Sequence, residues 1–168
     1  MILALKWFVP ITLAAMGLAW ISEQVALLLG FEPPPQDLVK LFTNPNVAWQ
    51  IKAKYAAIAV LLAPVLEELV FRIGLFRFCL WCGRRIKKAD VEVWNGTPAF
   101  PVVSALISGA VFAAVHLHAA TFVPLWFLGV AFAWLYWKSG SVFSSMLCHF
   151  LFNLVNLVIC LAIGTGTN

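Results

Sequence analysis

Charge is what this sequence has least of. Lys, Arg, Asp and Glu make up 11% of its 168 residues, where a soluble domain averages about 25%. That scarcity excludes an ordinary soluble domain. It also excludes nucleic acid as a partner: the net charge is +4, and the basic residues gather in one short run, Arg84-Arg85-Ile86-Lys87-Lys88, rather than over a face. Cysteine is sparse as well. Of the 4 cysteines, Cys79 and Cys82 form a lone C-x-x-C, with no second pair to complete a structural zinc site. No H-E-x-x-H, internal repeat or low-complexity tract is present. A cleavable leader needs an A-x-A-like site. Ala14-Ala15-Met16 is a poor match and the apolar run continues past it, so an uncleaved span is expected.

What fills the chain is hydrophobic residues, 63% of the total. A helix needs about 20 of them to cross a bilayer. The pattern predicts an all-α membrane bundle of about five transmembrane helices, one domain over residues 1–168. The expected spans are Leu3 to Leu29, Tyr55 to Trp81, Pro101 to His118, Phe122 to Trp137 and Val142 to Ile163. Pro33-Pro34-Pro35 stops the first. Glu32 to Lys54 is expected as a loop with a short interfacial helix at Asp37 to Phe42. A basic loop runs to Pro98, and Lys138-Ser139-Gly140-Ser141 makes a tight turn. With the basic loop cytoplasmic, seven Lys and Arg lie on that side and three on the other, which places the N-terminus inside and the C-terminus outside. Trp81, Trp94, Trp126 and Trp137 fall near span ends, as interfacial aromatics do.

Against this apolar background, ionisable groups inside the spans stand out: Glu67, Glu68, Arg72, His116 and His149. A carboxylate at the bilayer centre costs at least about 2.5 kcal/mol, so such groups mark function by default. Glu68 and Arg72 are four apart on one helical face and can neutralise each other. Glu67 is rotated by about 100° from Glu68, which leaves it free for chemistry. Phe112 and His116 share a face, as do His149 and Asn153. Three helices thus offer polar groups at mid-depth. Glu and His can activate a water, while a second His and an Asn amide can donate to an oxyanion.

The motifs Glu67-Glu68-x-x-x-Arg72, Phe112-x-x-x-His116 and His149-x-x-x-Asn153 resemble, in order and interval, the CAAX protease and bacteriocin-processing family of intramembrane glutamic endopeptidases. Pro64, Phe127-Leu128-Gly129 and Ser139-Gly140-Ser141 agree with it too. The likeness covers about residues 55–156. It implies that Glu67 activates water, His116 assists, His149 and Asn153 form the oxyanion hole, and Glu68 and Arg72 support the site. It implies no cofactor and no metal. The implied substrate is a membrane-anchored protein or peptide cut near its C-terminus, of CAAX or sorting-signal type. The implied location is the plasma (inner) membrane, with the lipid bilayer as constant partner. Larger members have about eight spans, and here the core is kept and the periphery trimmed.

Other readings compete. Glu67, His116 and His149 are residue types that suit zinc, as in a metalloprotease. An immunity or scaffold protein could keep the fold and bind without cutting. Proton relays in transporters also use intramembrane Glu and His, but no inverted repeat is visible. Asn156 reads as interhelical glue, His118 as interfacial, and Glu23 has no assigned role.

Overall fold

The computed structural model describes residues 1–86 and 99–165. Among them the chain is helical with no strand, an all-α membrane bundle. We number the helices α1 (Ile2–Leu28), α2 (Asp37–Thr43), α3 (residues 49–86), α4 (Ala99–Ala114), α5 (Phe122–Ser139) and α6 (Val142–Thr165). A single 3₁₀ turn, Ala119–Thr121, leads into α5. Gly140 ends α5 in the left-handed region at φ +66°, where a side chain is disfavoured. Residues 87–98, with most of the basic loop and Trp94, and the last three residues lie outside the described residues.

The burial pattern is that of a protein solvated by lipid. Trp20, Leu61 and Val70 are exposed, while Glu68, Arg72, Ser108, Ser144 and His149 are buried. Water would favour the reverse. In hydrocarbon, polar groups must find partners inside the bundle. Among the described residues three helices are long and apolar enough to cross a membrane: Ile2–Leu28, Ala119–Ser139 and Val142–Ala162. This is an integral membrane protein. The other two expected spans take different forms. The apolar part of α4 is short, Phe100–Ala114, because the chain turns before His118, with Leu117 at φ +53°. The Tyr55–Trp81 span is the middle of the longer α3. Its helix begins at Trp49, so the expected loop ends six residues earlier than Lys54. Nothing in Trp49-Gln-Ile-Lys-Ala-Lys breaks a helix.

Helix α3 is not uniform. Two stretches adopt the wider π geometry, Ile58–Leu62 and Leu69–Phe76, on either side of α-helical Ala63–Glu68. The first abuts Pro64, which has no N–H to continue the ladder. Such π segments recur at functional sites, because they re-aim side chains. Elsewhere small residues set the distances. A Cβ on Gly129 would lie 2.6 Å from Gly109 Cα, so α4 and α5 cross backbone to backbone. Helix α1 lays Ala4, Ile11 and Ala15 against Leu128, Phe132, Leu135 and Cys148 of α5 and α6.

Candidate active site

The two glutamates diverge as their angular separation requires. Glu68 points into the bundle and is fully buried. Arg72, one turn on, closes a two-pronged bridge on it, Nε to Oε2 at 2.9 Å and Nη2 to Oε1 at 3.1 Å. This is the paired geometry that makes Arg–carboxylate bonds strong. The third guanidinium nitrogen, Nη1, donates to Ser108 Oγ of α4 at 3.3 Å. Ser108 in turn donates to the Phe71 carbonyl at 3.0 Å, inside the second π segment. The guanidinium also lies 5.6 Å from the Phe112 ring centre and 5.9 Å from that of Phe132.

His149 of α6 bridges the two carboxylates. Its Nδ1 is 3.2 Å from Glu68 Oε1. A carboxylate bound to Arg72 accepts, so Nδ1 carries the proton of that bond. Nε2 lies 3.6 Å from Glu67 Oε2. Phe132 stacks on the imidazole at 4.8 Å between ring centres and fixes its plane. Glu67 Oε2 is buried and has no hydrogen-bond partner. It is an unmet acceptor on a residue that lines a cavity.

His116 stands at the exposed end of α4 with Nδ1 2.7 Å from the Phe112 carbonyl. A carbonyl only accepts, so Nδ1 donates and, in the neutral ring, Nε2 is left as the proton acceptor. Asn153, one turn beyond His149, donates from Nδ2 to the Ala59 carbonyl of α3 at 2.8 Å. Glu67, His116, His149 and Asn153 line one cavity of about 310 Å³, together with Phe112 and Phe132. Gln36, Leu38, Val39 and Phe42, from α2 and the residue before it, roof this cavity. A second space of about 450 Å³ adjoins it at His116 and is walled by Pro34, Gln36 and His118.

All six residues singled out from the sequence therefore meet at one place, four on the cavity and the Glu68–Arg72 pair behind it. His118 stays outside, with Nε2 2.8 Å from the Pro34 carbonyl, tying the proline-rich loop to the α4–α5 corner. Asn156 also lines the cavity, although its amide bonds back to the Phe152 carbonyl at 2.9 Å. Among the described residues no three His, Cys, Asp or Glu side chains are arranged to hold a metal ion. Two members of the assembly escaped the sequence reading. Ser108 is a common residue in an apolar helix, and Phe132 is one of 14 phenylalanines. Only their positions, Phe132 three residues after Phe127-Leu128-Gly129 and Ser108 four before Phe112, could have drawn attention to them.

No curated protein and no solved structure matches the chain. A family model does. The type II CAAX prenyl endopeptidase Rce1-like model matches residues 49–155, from the first residue of α3 to within α6. That interval contains Glu67, Glu68, Arg72, His116, His149 and Asn153, and by this match over most of its length the chain belongs to the Rce1-like CAAX prenyl endopeptidase family.

Proposed function

We propose that this protein is an intramembrane glutamic endopeptidase, cutting a peptide bond near the C-terminus of a membrane-anchored protein or peptide. The observation that carries the reading is Glu67 Oε2, a buried carboxylate oxygen without a partner, 3.6 Å from His149 Nε2 on the wall of a cavity. A carboxylate so placed can take a proton from water. The resulting hydroxide adds to the scissile carbonyl carbon, and its C=O becomes an oxyanion. His149 donates to that oxygen from Nε2 when both of its nitrogens are protonated, with Glu68 accepting at Nδ1. The Asn153 amide has two N–H groups, and the one not on Ala59 can donate as well. The proton held by Glu67, with His116 Nε2 as relay, passes to the departing nitrogen as the C–N bond breaks.

Glu68 and Arg72 take no part in proton transfer. Their bridge fixes His149 and the pitch of α3, which sets where Glu67 points. The enzyme sits in the plasma (inner) membrane with five spans, the N-terminus inside. Its substrates end in a CAAX-type or sorting-signal sequence. C-terminal peptide mapping of membranes from cells with and without the chain tests this. Membrane-anchored proteins should lose C-terminal residues only where it is present. If no C-terminus differs between the two, the proposed activity is wrong.

A further inference from the structure

We infer that Asn153 is a positioning residue as well as an oxyanion donor: its amide caps a backbone carbonyl that Pro64 leaves without a donor, and so holds the widened turn of α3 from which Glu67 reaches the cavity. The inference rests on the reading of Glu67 as the base. Its starting point is the hydrogen-bond ladder of α3. In the π stretch Ile58–Leu62, the Ala63 N–H bonds to the Ile58 carbonyl, five residues back. The next rung would join residue 64 to the Ala59 carbonyl, and Pro64 has no N–H. In α-helical register the donor for Ala59 would be Ala63, already used by Ile58. The Ala59 carbonyl therefore has no donor in its own helix. Within a membrane bundle such a carbonyl must find its partner inside the protein.

Asn153 supplies it, from another helix, at 2.8 Å. The bond ties α3 to α6 one turn from the place where His149 meets Glu67. Ala59, Ala63 and Glu67 follow one another at four-residue spacing, and all three line the cavity. A change in pitch at Ala59 is therefore transmitted along the same face to the Glu67 carboxylate. A proline that opens the ladder and an asparagine that closes it make one device. The opening permits the wider turn, and the closure gives it a single geometry.

The pairing predicts an interaction that a purely oxyanion-binding Asn153 would not show. Pro64→Ala restores an N–H at position 64, so the Ala59 carbonyl no longer needs Asn153. The full chain is purified in detergent as wild type, Asn153→Ala, Pro64→Ala and the double variant. Thermal midpoint is measured for each, and cleavage of a CAAX-type peptide is measured in liposomes. Asn153→Ala should lower the midpoint by about 5 °C when position 64 is proline. It should lower it by less than about 2 °C when position 64 is alanine. The double variant should recover kcat at least about tenfold over Asn153→Ala, with KM unchanged.

Equal midpoint losses in the two backgrounds overturn the cap. A double variant that regains its midpoint but stays as inactive as Asn153→Ala overturns the positioning role, and leaves Asn153 with donation to the reacting oxygen alone. Should Pro64→Ala not fold, Asn153→Leu decides: it keeps the volume and loses the amide, so it must fall in midpoint like Asn153→Ala, and a wild-type midpoint refutes the cap. If wild-type protein cuts no peptide, the proposed protease activity fails while the midpoints still test the cap.

Discussion

Replacing Arg72 by alanine removes both charge-assisted bonds of Glu68 at once, at 2.9 and 3.1 Å. Glu68 is fully buried, and His149 Nδ1 at 3.2 Å would be its remaining partner. Breaking a buried ion pair from one side costs about 3–5 kcal/mol, because the other charge is stranded. Ser108 also loses a donor, and Phe112 and Phe132 lose the guanidinium they flank. For a chain of this length, 1 kcal/mol moves the thermal midpoint by roughly 2–4 °C. Arg72→Ala should therefore lower the midpoint by about 6–20 °C. The double variant Arg72→Met with Glu68→Gln removes both charges and keeps the shapes, so it should regain at least about half of the loss. Heating detergent-purified protein and measuring the monodisperse fraction by gel filtration gives the midpoints. A single variant within about 2 °C of wild type would contradict the argument. So would a double variant no better than the single.

Ser108→Ala leaves the buried Phe71 carbonyl without its hydroxyl donor. A drop of about 1–2 kcal/mol, or roughly 2–8 °C, is expected in the same assay. Gly129→Ala places a Cβ 2.6 Å from Gly109 Cα. Since backbone cannot swing aside, it should cost about 1–3 kcal/mol, and a wild-type midpoint would show that α4 and α5 do not cross so closely. His116→Ala should keep its midpoint within about 3 °C and lose about 10²–10⁴ in kcat, because the exposed imidazole supports little packing but relays the proton in the proposed mechanism. His118→Ala frees the Pro34 carbonyl. Limited proteolysis should then nick residues 30–36 faster, as mass spectrometry of the fragments would reveal, and an unchanged rate would deny the tie.

Much of this arrangement was legible before any coordinate, for reasons that can be named. Hydrophobic length fixed α1, α5 and α6 to within one or two residues, because lipid demands a continuous apolar run. Asp37–Thr43 agrees with the short helix expected there. The cavity residues were conspicuous because charge is so costly in that setting, and the four-residue spacing of Glu68 and Arg72 left one geometry to find. What sequence periodicity missed are departures from periodicity. A helix pattern of 3.6 cannot announce where the turns widen, so the π stretches of α3 and the start at Trp49 were hidden. The oxyanion role that the resemblance implies for Asn153 gives no hint of its bond to Ala59, which depends on the register around Pro64. Ser108 was invisible for a similar reason: its value lies in a bond across 36 residues to Arg72.

Glu67→Gln reaches the central claim most directly. The amide keeps the shape of the side chain and its place 3.6 Å from His149, but it cannot take a proton. Wild type and variant are reconstituted in liposomes beside a membrane-anchored peptide with a CAAX-type C-terminus, and product is counted by mass spectrometry. The account predicts a thermal midpoint within about 3 °C of wild type and a cleavage rate at least about 10³-fold lower. A folded Glu67→Gln protein that cuts at near the wild-type rate would contradict it.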